Sequence, residues 1–200
     1  MAGIASLVVA DPPDLWRDLG FVVDDGACWV SGTCHQLGAA GSGVAAWTLR
    51  GVVGVSEIPL ADGVAPETQP TPTHPNQVIA LDHVVVVTPD LARTTGAFVG
   101  AGIPLRRTRD AGTSARPITQ AFFRLGETIL EIVGSPATSS AGEARVYGLA
   151  YTVTDLDLTC AFLGDRLRPD RDAVQPGRRI ATLDRAVGSS VPLAFMSAEP

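Results

Sequence analysis

The sequence contains no lysine, and all 15 of its basic residues are arginines. Schiff-base chemistry at a lysine and a phosphate-binding P-loop both need that side chain, so both are excluded. Cysteine is scarce as well, with three residues at positions 28, 34 and 160. An odd number without paired spacing predicts neither a disulfide framework nor a zinc site, and we expect three free thiols.

Long apolar runs are also missing. No stretch approaches the ~18 apolar residues that a membrane-spanning helix needs, and the first residues lack the basic region of a signal peptide. We therefore expect a cytoplasmic protein with no membrane partner. The formal net charge of −6 argues against nucleic acid as a partner. A hydrophobic content of 46% with 18% charged residues indicates a globular chain.

One pattern recurs three times along the chain. An apolar run rich in β-branched residues is followed by an aspartate and an amphipathic segment, with the aspartates at Asp11, Asp90 and Asp155. The run predicts a strand, and the aspartate, with proline at or near it, predicts a helix N-cap. Shorter strand-like runs broken by turn residues follow each helix. Each copy therefore predicts a βαβββ unit, and the chain an α+β fold.

The three copies set the predicted domain boundaries. We expect a degenerate βαβββ-like module over 1–58, a proline-rich linker over 59–78, and two further modules over 79–135 and 145–198. Because the connection between the last two modules is much shorter than the linker, those two should pair. The first module would then pack on the pair, cover a sheet edge, or serve a homodimer.

Two motifs of the second copy carry a family resemblance: LDHVVVVTPDL at 81–91 and FFRLGETILEIVG at 122–134. On these motifs the chain resembles the vicinal oxygen chelate superfamily, which includes glyoxalase I, extradiol dioxygenases and bleomycin resistance proteins. It is also similar to actinobacterial glyoxalase-like proteins in HPNQVIALDHVVV, QAFFRLG, QPGRRIATL and VPLAFMS. The resemblance implies paired modules that curl into a cup-shaped, mixed-sheet barrel around a small-molecule ligand.

In that superfamily the first and last strands of each module supply the ligands of a metal inside the cup. The resemblance implies that His83 and Glu131 bind a divalent metal and that Glu131 is catalytic. Side-chain alternation along the strands permits both residues to face one side of the sheet. A carboxylate between Leu130 and Ile132 is costly to bury unless it is paired or bound to a cation. An imidazole with a carboxylate suits Zn, Fe, Mn, Ni or Co.

The third copy departs from this metal-binding pattern. Gly148 stands where His83 would match, and Ala194 or Phe195 stands where Glu131 would match. The cup would then offer two protein ligands, whereas catalytic metal sites usually keep about three. Substrate, water or another side chain would have to complete the site.

Four further polar side chains are candidates for substrate binding. Gln120 and Gln175 are possible helpers inside the cup. Arg124 and Arg178 would hold a carboxylate, phosphate or enolate, since a guanidinium matches the geometry of such groups.

The remaining histidines and the nearby arginines favour structural or solvated roles. His74 lies in the linker and is expected to pack or cap a strand, while His35 is expected to face solvent. Arg106 and Arg107 are expected to be solvated at a strand edge.

Two classes of function follow from these residues. One is a metal-dependent lyase, isomerase or dioxygenase-type enzyme that uses a cation to polarise an oxygen of its substrate. The alternative is a metal-free protein that binds a small, antibiotic-type molecule without catalysis. The retained His83 and Glu131 favour the first, and the incomplete ligand set favours the second.

Overall fold

The computed structural model describes residues 2–53, 55, 57–61 and 66–199, which form a four-stranded and an eight-stranded sheet. The four-stranded sheet comes from β1 (Gly3–Val9), α1 (Pro13–Asp18), β2 (Ala27–Val30), β3 (Thr33–Leu37) and β4 (Val44–Arg50). The next segment contains β5 (Val78–Val87), α2 (Leu91–Gly100), β6 (Arg107–Thr113), β7 (Arg116–Leu125) and β8 (Thr128–Gly134). The last contains β9 (Arg145–Val153), α3 (Leu156–Leu163), β10 (Arg171–Asp172), β11 (Arg179–Thr182) and β12 (Leu193–Ser197).

The helix starts follow the predicted aspartates in two of the three copies. The Asp90 side chain accepts a hydrogen bond from the backbone N–H of Arg93, and Asp155 does the same for Leu158. Each carboxylate thereby satisfies one of the free donors at a helix start. Asp11 differs, because its carboxylate accepts hydrogen bonds from Trp16 and from residues 189–190 at the far end of the chain.

The eight-stranded sheet joins two similar halves. Its strand order is β10-β11-β12-β9-β5-β8-β7-β6, so the first strand of each half lies at the centre. Within each half the first strand runs parallel to the last, β5 with β8 and β9 with β12. The halves meet where β5 pairs antiparallel with β9. The predicted mixed-sheet α+β fold is confirmed by this order and register.

The four-stranded sheet has the same element order but a different pairing. Its strands lie in the order β2-β3-β1-β4, with β1 parallel to β3 and antiparallel to β4. In the larger sheet the first strand of each half pairs in parallel with the fourth strand of that half, as β5 does with β8. In the small sheet the first strand, β1, pairs in parallel with the third strand instead. The fourth strand, β4, is antiparallel to β1, as β9 is to β5 in the larger sheet. The glycine-rich 38–43 connection carries positive φ at Gly38, Gly41 and Gly43, a backbone conformation that favours glycine.

The smaller sheet and the helices pack on the outer face of the larger one. Trp16 and Phe21 meet Tyr151 of β9 with ring centroids 6.4 and 5.3 Å apart. Trp47 of β4 meets Phe98 of α2 at 6.0 Å. These rings are buried, and they leave the opposite, inner face of the large sheet free of this core. No helix within the described residues is long and apolar enough to cross a membrane.

The predicted linker is only partly described, since residues 62–65 fall outside the described ranges, as do 1, 54 and 56 of the first predicted module. Its end is anchored by the buried His74. The backbone N–H of Val22 donates to His74 Nδ1 at 2.9 Å, and His74 Nε2 lies 3.2 Å from the carbonyl of Trp29. These bonds fix the neutral Nε2–H tautomer and give His74 the expected structural role.

The expectation that His35 faces solvent is wrong. His35 is fully buried between the two sheets, where its Nε2 lies 3.0 Å from the Tyr151 hydroxyl and its Nδ1 lies 3.2 Å from the Cys28 carbonyl. Its neighbours in sequence suggested a turn, but β3 lies inside the smaller sheet. Burial lowers the pKa of His35 to about 4, although the bond to the Cys28 carbonyl opposes the shift.

This buried histidine predicts a loss of stability in mild acid. The folded protein keeps His35 neutral below the unfolded pKa of ~6.5, so the unfolded state binds the extra proton. The free energy of unfolding should fall by up to roughly 3 kcal/mol as the pH drops from 6.5 to 4. Burial of His74 contributes with the same sign.

Urea unfolding at pH 7.0 and pH 4.5 measures this loss, and His35→Gln is the matched variant because an amide can still meet the Tyr151 hydroxyl. The variant should lose clearly less stability than the wild type between the two pH values. An equal loss in both proteins would contradict the assignment.

Candidate functional site

A cavity of about 390 Å³ opens on the inner face of the large sheet. All eight strands contribute to its lining, including β6 through Arg107 and β10 through Arg171. Since β6 and β10 lie at opposite ends of the strand order, the sheet must curl into a cup for both to reach one cavity. The cup predicted from the sequence is therefore present.

The cavity wall is largely apolar. Strand alternation explains this, because one face of each strand packs into the outer core and the other faces inward. The apolar side chains of the wall include Val85, Phe122, Ala150, Ile180, Ala194 and Met196. His83 and Glu131 interrupt this wall from neighbouring strands, with His83 beside Ile129 and Glu131 beside Val85 in the register.

A β-bulge at Asp82 positions His83. The register between β5 and β9 passes from Leu81↔Tyr151 directly to His83↔Ala150, which leaves Asp82 as the extra residue. Without the bulge, Leu81 and Val84 would face opposite sides of the sheet, yet both are buried in the outer core. Bulges of this kind redirect side chains and are common next to functional sites. His83 is thereby free to face the cup.

The carboxylate of Asp82 is held from three directions. Its Oδ2 accepts hydrogen bonds from Arg178 Nη2 at 2.6 Å and from Thr152 Oγ1 at 2.5 Å, and its Oδ1 contacts His83 Nδ1. Burial by itself would raise the pKa of Asp82, but the bonds from His83, Arg178 and Thr152 outweigh it and hold the pKa well below its usual range. Asp82 is therefore an anion near neutral pH.

The position of His83 favours one tautomer. Its Nδ1 lies against Asp82 Oδ1, where a proton on Nδ1 is favoured and a lone pair would be repelled, so Nε2 keeps the lone pair that can accept a proton. The Gln175 amide nitrogen lies 3.4 Å from that Nε2 and donates towards it. Gln175 belongs to the loop between β10 and β11, so this loop covers the imidazole from the cavity side.

A second polar chain holds Glu131. Gln120 Nε2 donates to Glu131 Oε1 at 2.5 Å, and Arg109 Nε donates to Gln120 Oε1 at 2.7 Å. The three side chains come from the neighbouring strands β8, β7 and β6. Gln120 therefore orients the carboxylate and couples it to a guanidinium.

The residues present do not by themselves fit a resident catalytic metal. Across the described residues, no group of three or more His, Cys, Asp or Glu side chains lies close enough together to hold a metal ion. His83 and Glu131 are two suitable donors, whereas catalytic sites usually supply three. One oxygen of Glu131, Oε1, already accepts a hydrogen bond from the Gln120 amide.

The sequence-predicted substrate-binding residues fall into two groups. Gln175 lines the cavity, and Gln120 lies behind Glu131. Arg124 is exposed and donates to the carbonyl of Glu127 in the β7–β8 turn, outside the cavity. Arg178 is 4% exposed and pairs with Asp82 behind His83, so its guanidinium is not offered to a ligand.

Four side chains at or beside the cavity were not among the sequence-predicted site residues. Arg107, Arg109 and Arg171 line the cavity, and Arg107 and Arg171 are also exposed on the edge strands β6 and β10, the setting that was expected for Arg107. Asp82 was not singled out, because regular alternation would place it on the face opposite to His83. The Asp-His pair at the start of a valine run was the available signal for a buried dyad.

No model of a known protein family matches this sequence, and no curated protein matches it. Solved structures with a similar fold include methylmalonyl-CoA epimerase from Mycobacterium tuberculosis, at 19% identity and a TM-score of 0.47, covering 62% of this chain and 91% of that one. A variant of methylmalonyl-CoA epimerase from Streptomyces coelicolor, in complex with 2-nitronate-propionyl-CoA, has 17% identity and a TM-score of 0.47. The match covers 62% of this chain and 99% of that one. A hypothetical protein from Bacillus halodurans has 16% identity and a TM-score of 0.46, covering 60% and 94%.

The likeness of this chain to these three structures concerns the fold alone.

The tautomer of His83 can be measured. Long-range ¹H–¹⁵N NMR spectra at pH 8 should show the Nδ1–H form for His83, because the Asp82 carboxylate lies against that nitrogen. His74 is an internal control and should show the opposite, Nε2–H form, because its Nδ1 accepts from Val22. In Asp82→Asn the fixed preference of His83 should weaken. An Nε2–H form of His83 in the wild type would contradict the described dyad.

Proposed function

We propose that this chain binds a small organic molecule in the cup and transfers protons on it through His83 and Glu131. The observation that carries the proposal is the placement of a carboxylate-backed imidazole and a carboxylate in an otherwise largely apolar cavity. A concave, largely apolar site with a few convergent polar groups is typical of small-molecule binding. The volume of about 390 Å³ suits one compact ligand.

The chemistry would be general acid–base catalysis. With the Asp82 carboxylate against Nδ1, His83 Nε2 is the atom that takes up or returns a proton. Glu131 would accept or donate a second proton from its position on the neighbouring strand, while Gln120 keeps the carboxylate oriented. A C–H bond made acidic by a neighbouring carbonyl is one group that such a pair can deprotonate and reprotonate.

The metal-dependent form of the enzyme, which the family resemblance implied, would use His83 and Glu131 as ligands of a divalent cation. A bound cation would polarise a ligand oxygen. The two protein donors do not complete such a site, so the cation would need further ligands from the substrate or water. Proton transfer by His83 and Glu131 is therefore the first candidate, and it needs no metal.

Binding without catalysis is the second candidate, and one contact favours it. The Gln175 amide lies against His83 Nε2, the atom that proton transfer requires. A ligand would have to displace this amide before catalysis.

The cytoplasmic location and the homodimer stay predictions from the sequence.

Proton exchange tests the proposed function. We expect the protein to accelerate the exchange of an acidic C–H for deuterium in D₂O, followed by ¹H NMR, on at least one of a panel of small 2-oxo and 3-oxo acids. His83→Ala and Glu131→Gln should each slow this exchange by ~10²-fold or more, which is the usual contribution of an acid–base group. Dialysis against EDTA should leave the rate unchanged.

Arg106→Gln is the matched control, since Arg106 is exposed and is not part of the cavity lining. Exchange that disappears with EDTA and returns with Zn²⁺ or Mn²⁺ would contradict the metal-free mechanism. Exchange that survives in both His83→Ala and Glu131→Gln would contradict the assigned residues. Binding without exchange on the whole panel would favour the second candidate.

A further inference from the structure

Three arginines line the cavity, and among the described residues none of the three is paired with a carboxylate. We infer that they form an oxyanion site, so that the ligand of the cup is an amphipathic molecule with an apolar body and a carboxylate or phosphate group. This inference rests on the proposed binding of a small molecule in the cup. It assigns the anion-binding role to Arg107, Arg109 and Arg171 in place of Arg124 and Arg178.

The strand geometry brings the three guanidinium groups to one opening. Arg107 and Arg109 are alternate residues of β6, so their side chains share the inner face. Arg171 belongs to β10, at the other end of the strand order, and lines the same cavity. A ligand between the two edges of the cup would therefore meet positive charge from both sides.

Two of the arginines are held in place by neutral partners. The guanidinium carbon of Arg107 lies 4.5 Å from the centre of the Phe122 ring, a cation–π arrangement. Arg109 donates through Nε to Gln120, which leaves its two Nη groups for another acceptor. Side chains fixed in this way lose less conformational entropy when a ligand binds.

The charges of the three arginines are not neutralised by the protein. In the part of the chain that the structure describes, none of them forms an ion pair with a carboxylate, whereas Arg93 and Arg179 do. The Gln120 amide lies between Arg109 and Glu131 and hydrogen-bonds to both.

The local charge is opposite to that of the whole chain. The protein carries a formal net charge of −6, yet the ionised lining of the cavity consists of three arginines and one glutamate. A positively charged cavity attracts anionic ligands and raises their local concentration, even when the net charge of the whole protein is negative. Guanidinium groups match carboxylate and phosphate in geometry as well as in charge.

The rest of the wall accounts for the apolar part of the ligand. Ile180, Ala194 and Met196 lie on β11 and β12, and Val174 of the covering loop also lines the cavity. Burying an apolar group against them is favourable in proportion to the area removed from water. A bare inorganic anion would leave this contribution unused, which is why we assign an amphipathic anion.

A pair of fluorescent probes tests the inference. 8-Anilino-1-naphthalenesulfonate has an apolar frame with one oxyanion, and N-phenyl-1-naphthylamine has the same frame without charge. The anionic probe should bind with one site per chain and at least about tenfold more tightly than the neutral one, consistent with a charge-assisted contact. Raising NaCl from 0.05 to 0.5 M should weaken only the anionic probe.

Substitutions then assign the effect to the arginines. Arg107→Gln, Arg109→Gln and Arg171→Gln should each weaken the anionic probe several-fold and the triple variant at least about tenfold, without changing the affinity of the neutral probe. Arg106→Gln, one residue before Arg107, is the control and should leave both affinities unchanged. 3-Phenylpropionate or phenyl phosphate should displace the anionic probe, and the relative potency of the two would identify carboxylate or phosphate. Neutral 3-phenylpropanol should displace it far less.

The outcomes separate this inference from the proposed function. Equal binding of the two probes, with no effect of the arginine substitutions, would overturn the oxyanion site while leaving a cavity that binds apolar molecules. Ala194→Phe, or Thr182→Trp if the first variant does not fold, should fill the cavity and abolish binding of both probes. If a variant that fills the cavity folds and still binds both probes unchanged, the cavity is not the binding site. The proposed function would then fail as well.

Discussion

The largely buried carboxylate of Asp82, whose side chain is 10% exposed, is the constraint on which the two halves of the large sheet depend. An ionised carboxylate inside a protein is tolerated only when it is paired and hydrogen-bonded. Asp82 meets this requirement with Arg178, and Arg178 in turn donates from Nε to the carbonyl of Ser197 at the end of β12. Thr152 of β9 supplies the other donor to Oδ2. One anion therefore ties together β5, β9 and β12.

The same anion links the fold to the cavity. The bulge that brings Asp82 between Arg178 and Thr152 also directs His83 into the cup. Because Asp82 Oδ1 lies against His83 Nδ1, the imidazole presents Nε2 to the ligand space. Any change that displaces Asp82 would disturb the junction of the two halves and the orientation of His83 together. Glu131 is supported separately, through Gln120 and Arg109 on the other side of the cup.

Features that depend on local pattern could be predicted from the sequence. The valine run of β5 and the N-caps at Asp90 and Asp155 follow from residue types and short spacings. His83 and Glu131 share the inner face because alternation along β5 and β8 keeps its period from His83 onwards.

Features that depend on long-range contacts could not be predicted. The bulge at Asp82 breaks the strand period, and Arg178, the residue that pairs with Asp82, lies 96 residues further along the chain. The arginines of β6 and β10 look like solvated edge residues until the sheet curls and brings both edges to one cavity. In the small sheet, β1 lies between β3 and β4, parallel to the first and antiparallel to the second, and no short motif near β1 specifies these partners. Local residue patterns carry no information on any of these three.

A double-mutant cycle on Asp82 and Arg178 tests the central claim most directly. The free energy of unfolding would be measured by urea denaturation for Asp82→Asn, Arg178→Met and the double variant. Each single change should cost about 3–5 kcal/mol, because it leaves the other group buried without its partner. The double variant should cost less than the sum of the two by at least ~1 kcal/mol. Costs that add within ~0.5 kcal/mol would show that the two groups do not interact and would contradict this account.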